Sequence, residues 1–78
     1  MEEQVRVVAK RDYFCYDYQV NPVEKKYILL KDNEYVLTLF DNRWGEQCIK
    51  FTGDDGVSRE YSMWYRKYYF KDLKEKPL

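Results

Sequence analysis

Seventy-eight residues leave room for one domain, near the lower limit at which a hydrophobic core alone keeps a chain folded. With 45% hydrophobic and 19% aromatic residues, the composition is that of a folded chain and not of a disordered one. Fourteen Lys and Arg against fourteen Asp and Glu leave no net charge, which argues against a strongly basic nucleic-acid binder and against an acidic mimic of DNA.

Met1 is followed by Glu2-Glu3 with no apolar stretch, so no secretory signal is expected and a cytoplasmic location follows. Val5-Arg6-Val7-Val8-Ala9 is short and β-branched and predicts a strand, ended by Lys10-Arg11-Asp12. Tyr13 to Val20 is aromatic and irregular, closed by the turn signal Asn21-Pro22, and predicts a long aromatic loop or ragged hairpin. Tyr27 to Leu30 leads into a turn at Lys31-Asp32-Asn33, with Asn33 suited to positive φ. Glu34 to Phe40 is the strongest strand, apolar on both faces and therefore central.

Asp41 to Gly45 turns the chain, and Glu46 to Phe51 resumes with partial alternation. Thr52-Gly53-Asp54-Asp55-Gly56 is a hairpin signal, and Val57 to Met63 has the alternation of a half-buried strand. From Trp64 to Leu73 two readings compete. Tyr65, Tyr69 and Leu73 recur at helical spacing with Ser62 as a cap, whereas the density of aromatics favours a short turn and a closing strand, the preferred reading. The whole is one domain over 1–78, with an ordered core from about 5 to 73 and a polar tail at 74–78.

Several short strands with an early aromatic loop and a distal hairpin describe a small barrel. Tyr16-Asp17-Tyr18 is similar to the aromatic-Asp-aromatic signature of SH3-like domains. Leu30 to Leu37 resembles that family's turn into its second strand, Asp41-Asn42-Arg43-Trp44 its Trp-presenting loop, and Lys67-Tyr68-Tyr69-Phe70 its late Tyr. The resemblance implies a mainly β fold, a single SH3-like barrel of about five strands. The alternative is a four-stranded antiparallel sheet with a C-terminal helix.

The family's proline before the late Tyr is missing, Trp44 precedes Gly45 and not an aromatic, and the hairpin after Trp44 is longer. These departures argue against proline-rich peptides as ligands. The pattern looks closer to compact SH3-like proteins of phages and mobile elements. That likeness implies a viral protein, in the host cytoplasm, that blocks a host replication, transcription or defence protein. A sliding clamp, RNA polymerase or a defence nuclease would be such a partner.

Chemistry is sparse. The chain has no His and two Cys, Cys15 and Cys48, expected to be reduced and buried. No metal site, cofactor or membrane span is expected. A cysteine nucleophile lacks its basic partner, and Asp54-Asp55 reads as a solvated hairpin tip, so no enzyme is expected. Nine tyrosines point instead to recognition, since Tyr, Trp and Arg dominate binding hot spots.

Tyr13, Tyr16, Tyr18, Trp44, Trp64, Tyr68 and Tyr69 are the candidate partner-binding residues, expected to converge on one aromatic face. Lys10, Arg11, Arg66, Lys67 and Lys71 form a candidate basic patch, interleaved with aromatics as in single-strand binders. The expected function is therefore a non-catalytic protein-interaction module, monomeric or homodimeric. Nucleic-acid binding and a structural or assembly role in a virion are the alternatives.

Overall fold

The β-branched run near the N-terminus forms β1, Glu3–Ala9, with Val7 and Ala9 turned inward and Arg6 outward, as a pleat of period two requires. The computed structural model describes residues 2–73, and the polar tail expected at 74–78 lies outside them. Six further strands follow: β2 Tyr13–Asp17, β3 Glu24–Leu29, β4 Glu34–Asp41, β5 Gln47–Thr52, β6 Ser58–Ser62 and, after the helix α1 Met63–Tyr69, β7 Phe70–Asp72. The fold is mainly β, as expected. Five strands form one sheet in the order β6-β5-β4-β1-β7, and β2 pairs with β3 in a separate two-stranded sheet.

The described strands do not close into a barrel. The chain leaves β6 at one edge of the sheet, crosses through α1 and returns as β7 beside β1 at the other edge. The alternative architecture, a sheet with a C-terminal helix, is the one that fits, although the sheet has five strands and not four because β7 adds to the free edge of β1. Both readings of the C-terminal segment meet here, since the helix is followed by a three-residue closing strand. Ser62 occupies the cap position without a side-chain cap bond. The helix is held instead by packing: Met63, Tyr65 and Tyr69 lie against the core.

β4 is the middle strand, paired with β1 on one side and β5 on the other. Tyr35, Leu37 and Leu39 face the core, where Val7, Ala9, Ile49 and Phe51 join them from the sheet. Ile28, Leu29 and Phe70 cover that layer from outside the sheet's central strands. The opposite face carries Gln4, Arg6, Val36, Thr38, Lys50 and Glu60 and is uncovered, with Val36 50% exposed. A largely polar second face is ordinary for an antiparallel sheet. The described molecule is correspondingly thin, 47 × 38 × 19 Å.

Two turns carry the geometry. In the first, the Asn33 N–H donates to the Leu30 carbonyl, and Asp32, not Asn33, takes positive φ (72°). The turn starts at Leu30, so the left-handed position falls on its third residue, where Asp is tolerated. In the second, the tip between β5 and β6 folds onto β3. The Asp54 N–H donates to the Ile28 carbonyl, and the Tyr35 hydroxyl donates to Asp54 while accepting from the Leu30 N–H, at 2.8 Å each.

Gly53 makes that approach possible. A methyl group there would sit 2.8 Å from Ile28 Cγ2 and 2.9 Å from the Ile28 carbonyl oxygen. Because a backbone atom cannot swing aside, Gly53→Ala is expected to cost about 1–3 kcal/mol, the usual range for overpacking. Urea unfolding checks this, with Gly56→Ala as the comparison, since Gly56 meets no atom within 4 Å and is penalised only through its positive φ.

Candidate functional site

Aromatic side chains sort into groups according to what lies above each strand face. The first group lies on the β2–β3 hairpin. Its base is fixed by Tyr13, Ile28 and Leu29, which belong to or pack on the core. Beyond the base, every residue from Phe14 to Tyr27 except Asp17 is exposed, so the hairpin stands off the sheet as an arm. The register, shifted by a bulge between Tyr13 and Phe14, sets Phe14 opposite Tyr27 and Tyr16 opposite Lys25.

One face of the arm is therefore aromatic. Ring centres lie 5.8 Å apart for Phe14 and Tyr16, 5.9 Å for Phe14 and Tyr27, and 6.2 Å for Tyr16 and Tyr18. The Lys25 ammonium sits 3.8 Å from the Phe14 ring centre, within cation–π range. Tyr18 is 78% exposed at the end of this row. The other face carries Cys15, Asp17 and Lys26, with the Lys26–Asp17 ion pair at 3.2 Å. Cys15 is thus exposed and not buried, because an arm uncovered on both faces has no interior; Cys48 is half-buried, and both thiols are free.

The second group is internal. Tyr13 and Tyr69 pack in a tilted pair at 4.8 Å, Tyr61 and Tyr65 in another at 4.4 Å, and Phe51 stacks on Tyr61 at 5.4 Å, so these rings wedge the helix and the arm base onto the sheet. Burial is the main cause that raises the Tyr35, Tyr61 and Tyr69 hydroxyls above their ordinary values; at Tyr61 the neighbouring Tyr13 hydroxyl adds to it.

A raised folded-state value means the protonated hydroxyl is favoured by folding. Its contribution is complete below the unfolded value, about 10, and is lost as pH rises above it. Unfolding above about pH 10 is expected to coincide with the appearance of tyrosinate absorbance from the buried rings. A native circular dichroism spectrum retained after all nine tyrosines have ionised would contradict this.

The third group is on the outer face of α1. Trp64 and Tyr68, one helical turn apart, stack at 4.7 Å with an interplanar angle of 13°. The Arg11 guanidinium lies 3.9 Å from the Tyr68 ring centre, and Lys10 Nζ donates to the Lys67 carbonyl. Lys10, Trp64, Arg66, Lys67 and Asp72 line one shallow groove. Four of the five candidate basic residues are thus brought together here. Lys71 is not among them: next to inward-facing Phe70 in β7, it points to the opposite face beside Val8 and Asp32.

Trp44 stands apart, 73% exposed on the β4–β5 turn, with Arg43 5.1 Å from its ring. The turn is held by the Asn42 side chain, which accepts from the Trp44 and Glu46 N–H groups. The candidate partner-binding residues therefore do not form one face. Tyr16 and Tyr18 lie on the arm, Trp64 and Tyr68 on the helix, Trp44 on its own turn, and Tyr13 and Tyr69 in the internal wedge. Phe14, Lys25 and Tyr27 join the arm, although Glu24-Lys25-Lys26 gave no strand signal in the sequence.

The carboxylates at the β5–β6 tip are structural. Asp54 accepts from Tyr35, and Asp55 takes two bonds from Arg59, at 2.9 and 2.6 Å, and one from the Val57 N–H. The Arg59 hydrogen bonds hold the Asp55 carboxyl below its ordinary value. Among the described residues no group of three or more His, Cys, Asp or Glu is placed to hold a metal ion, and no helix is long and apolar enough to cross a membrane. Comparison with protein-family models, with curated proteins and with solved structures finds no match for this chain.

Proposed function

We propose that this chain is a non-catalytic protein-binding module whose contact surface is the aromatic face of the β2–β3 arm. The observation that carries the reading is the row of Phe14, Tyr16, Tyr18 and Tyr27, exposed together on a hairpin that no other layer covers. Large rigid rings gain contact area at low entropic cost and dominate protein hot spots.

Charge separates a protein partner from a nucleic acid at this surface. The arm's Lys25 and Lys26 are matched by Asp17 and Glu24, so it has no excess of cations to neutralise phosphates. The non-catalytic part of the reading is supported by the absence of His and by the structural engagement of Asp54 and Asp55. Obstruction of a replication, transcription or defence protein of a host, the role implied by the likeness to phage proteins, needs only such an arm and no reaction chemistry.

Affinity capture with the tagged chain tests the reading, with Phe14→Ala and Tyr16→Ala run in parallel and captured proteins identified by mass spectrometry. A partner retained by the wild-type chain and lost from both folded variants supports it. Partners retained equally by all three chains would overturn it.

A further inference from the structure

We infer that the outer face of α1 is a second binding site, for single-stranded nucleic acid. It uses residues separate from those of the arm. Its parts are the stacked pair Trp64 and Tyr68, with Trp64 57% exposed, and the cations Lys10, Arg11, Arg66 and Lys67 around it. Every base has a face that can stack on an open indole, and the cations supply what the phosphates of the same strand require.

The charge balance of the site differs from that of the whole chain. Four cations face one carboxylate, Asp72, whose Oδ1 is 3.0 Å from Arg66 Nη2. Asp12, next to Arg11, accepts instead from the Lys31 N–H. Lys10, Arg11 and Lys67 remain without a carboxylate partner among the described residues, and Lys10 and Arg11 are fixed in place by the Lys67 carbonyl and the Tyr68 ring. Arg66 and Lys67 also lie in the last turn, where positive charge suits the helix dipole. That accounts for two of the cations. It does not account for Lys10 and Arg11, which come from the end of β1, or for two large rings stacked outside the core.

A double helix does not fit this arrangement, because its bases are already stacked on one another and cannot open onto Trp64. The sugar is not read either, since the recognition rests on ring faces and phosphates. Oligothymidylate and oligouridylate of about twelve nucleotides should therefore bind alike, within the usual span of a small single-strand site.

Fluorescence anisotropy of these two labelled oligomers with the full chain at low salt tests the inference. With about three phosphates neutralised, the logarithm of affinity should fall against the logarithm of salt with a slope near −2. Trp64→Ala and Lys67→Glu should each weaken binding roughly tenfold. Lys67→Gln, a milder change at an exposed position, should flatten the salt slope by about 0.7. Tyr16→Ala on the arm should leave binding unchanged, so that failure here and failure of the arm reading are told apart. Three results would overturn the inference: no anisotropy change with either oligomer, affinities indifferent to Trp64→Ala and Lys67→Gln, or competition by oligoglutamate as effective as by unlabelled oligothymidylate, which would mark an acidic-peptide site.

Discussion

Leu29→Ala is expected to destabilise the protein by about 2–5 kcal/mol, the range for truncating a buried leucine. Leu29 is 0% exposed and among the largest fully buried side chains, and it pairs with Tyr13 at the base of the arm. Truncation there removes methyl groups from the contact that ties the two-stranded sheet to the five-stranded one. Against a total stability of roughly 5–15 kcal/mol for small proteins, this loss is a large fraction. In a chain of this size each kcal/mol shifts the thermal midpoint by about 4–8 °C, so a fall of at least about 8 °C should be visible by circular dichroism. Tyr16→Ala, further out on the same hairpin, should cost less than about 1 kcal/mol, the scale of an exposed cross-strand contact. Equal effects at the two positions would mean that the arm is not anchored as the core contacts require.

The second large effect concerns binding. Phe14 and Tyr16 are adjacent on the aromatic face, and truncating hot-spot rings typically costs 2 kcal/mol or more each, or about thirtyfold in affinity. The double variant Phe14→Ala, Tyr16→Ala is expected to lower affinity for the captured partner by at least about a hundredfold, with the far-ultraviolet spectrum unchanged. The margin below strict additivity reflects their contact, since rings 5.8 Å apart share part of their energy. Titration calorimetry with the purified partner measures it. A double variant that binds within about threefold of wild type would remove the arm from the interface.

Much of the fold was legible from the residues because the relevant forces are local. Glu34 to Phe40 reads as the central strand, and the glycines of Thr52 to Gly56 place the hairpin where the chain turns. The arm was harder to see. A hairpin exposed on both faces has no buried face to impose alternation, so Glu24-Lys25-Lys26 carried no strand pattern, and its pairing to Tyr16 and Cys15 comes from the register alone. The helix was disfavoured because its aromatics have weak helical propensity. It forms because Tyr65 and Tyr69, four residues apart and 5.7 Å between ring centres, pack together onto the core.

The candidate residue types were identifiable, but their distribution over separate surfaces was not, since composition cannot say which rings the core claims. Tyr13 and Tyr69 are claimed by the wedge, which divides the tyrosines into a structural set and an exposed set. Lys10 and Arg11 join Arg66 and Lys67 only because β1 ends beside α1, where the Lys10 N–H donates to the Tyr69 carbonyl.

Photo-crosslinking tests the central claim most directly, with benzoylphenylalanine in place of Tyr16 on the arm and, as reference, in place of Val36 on the uncovered sheet face. Covalent adducts with the partner protein are expected from position 16 and none from position 36. Adducts from position 36 alone would contradict that claim and move the binding surface from the arm to the open sheet.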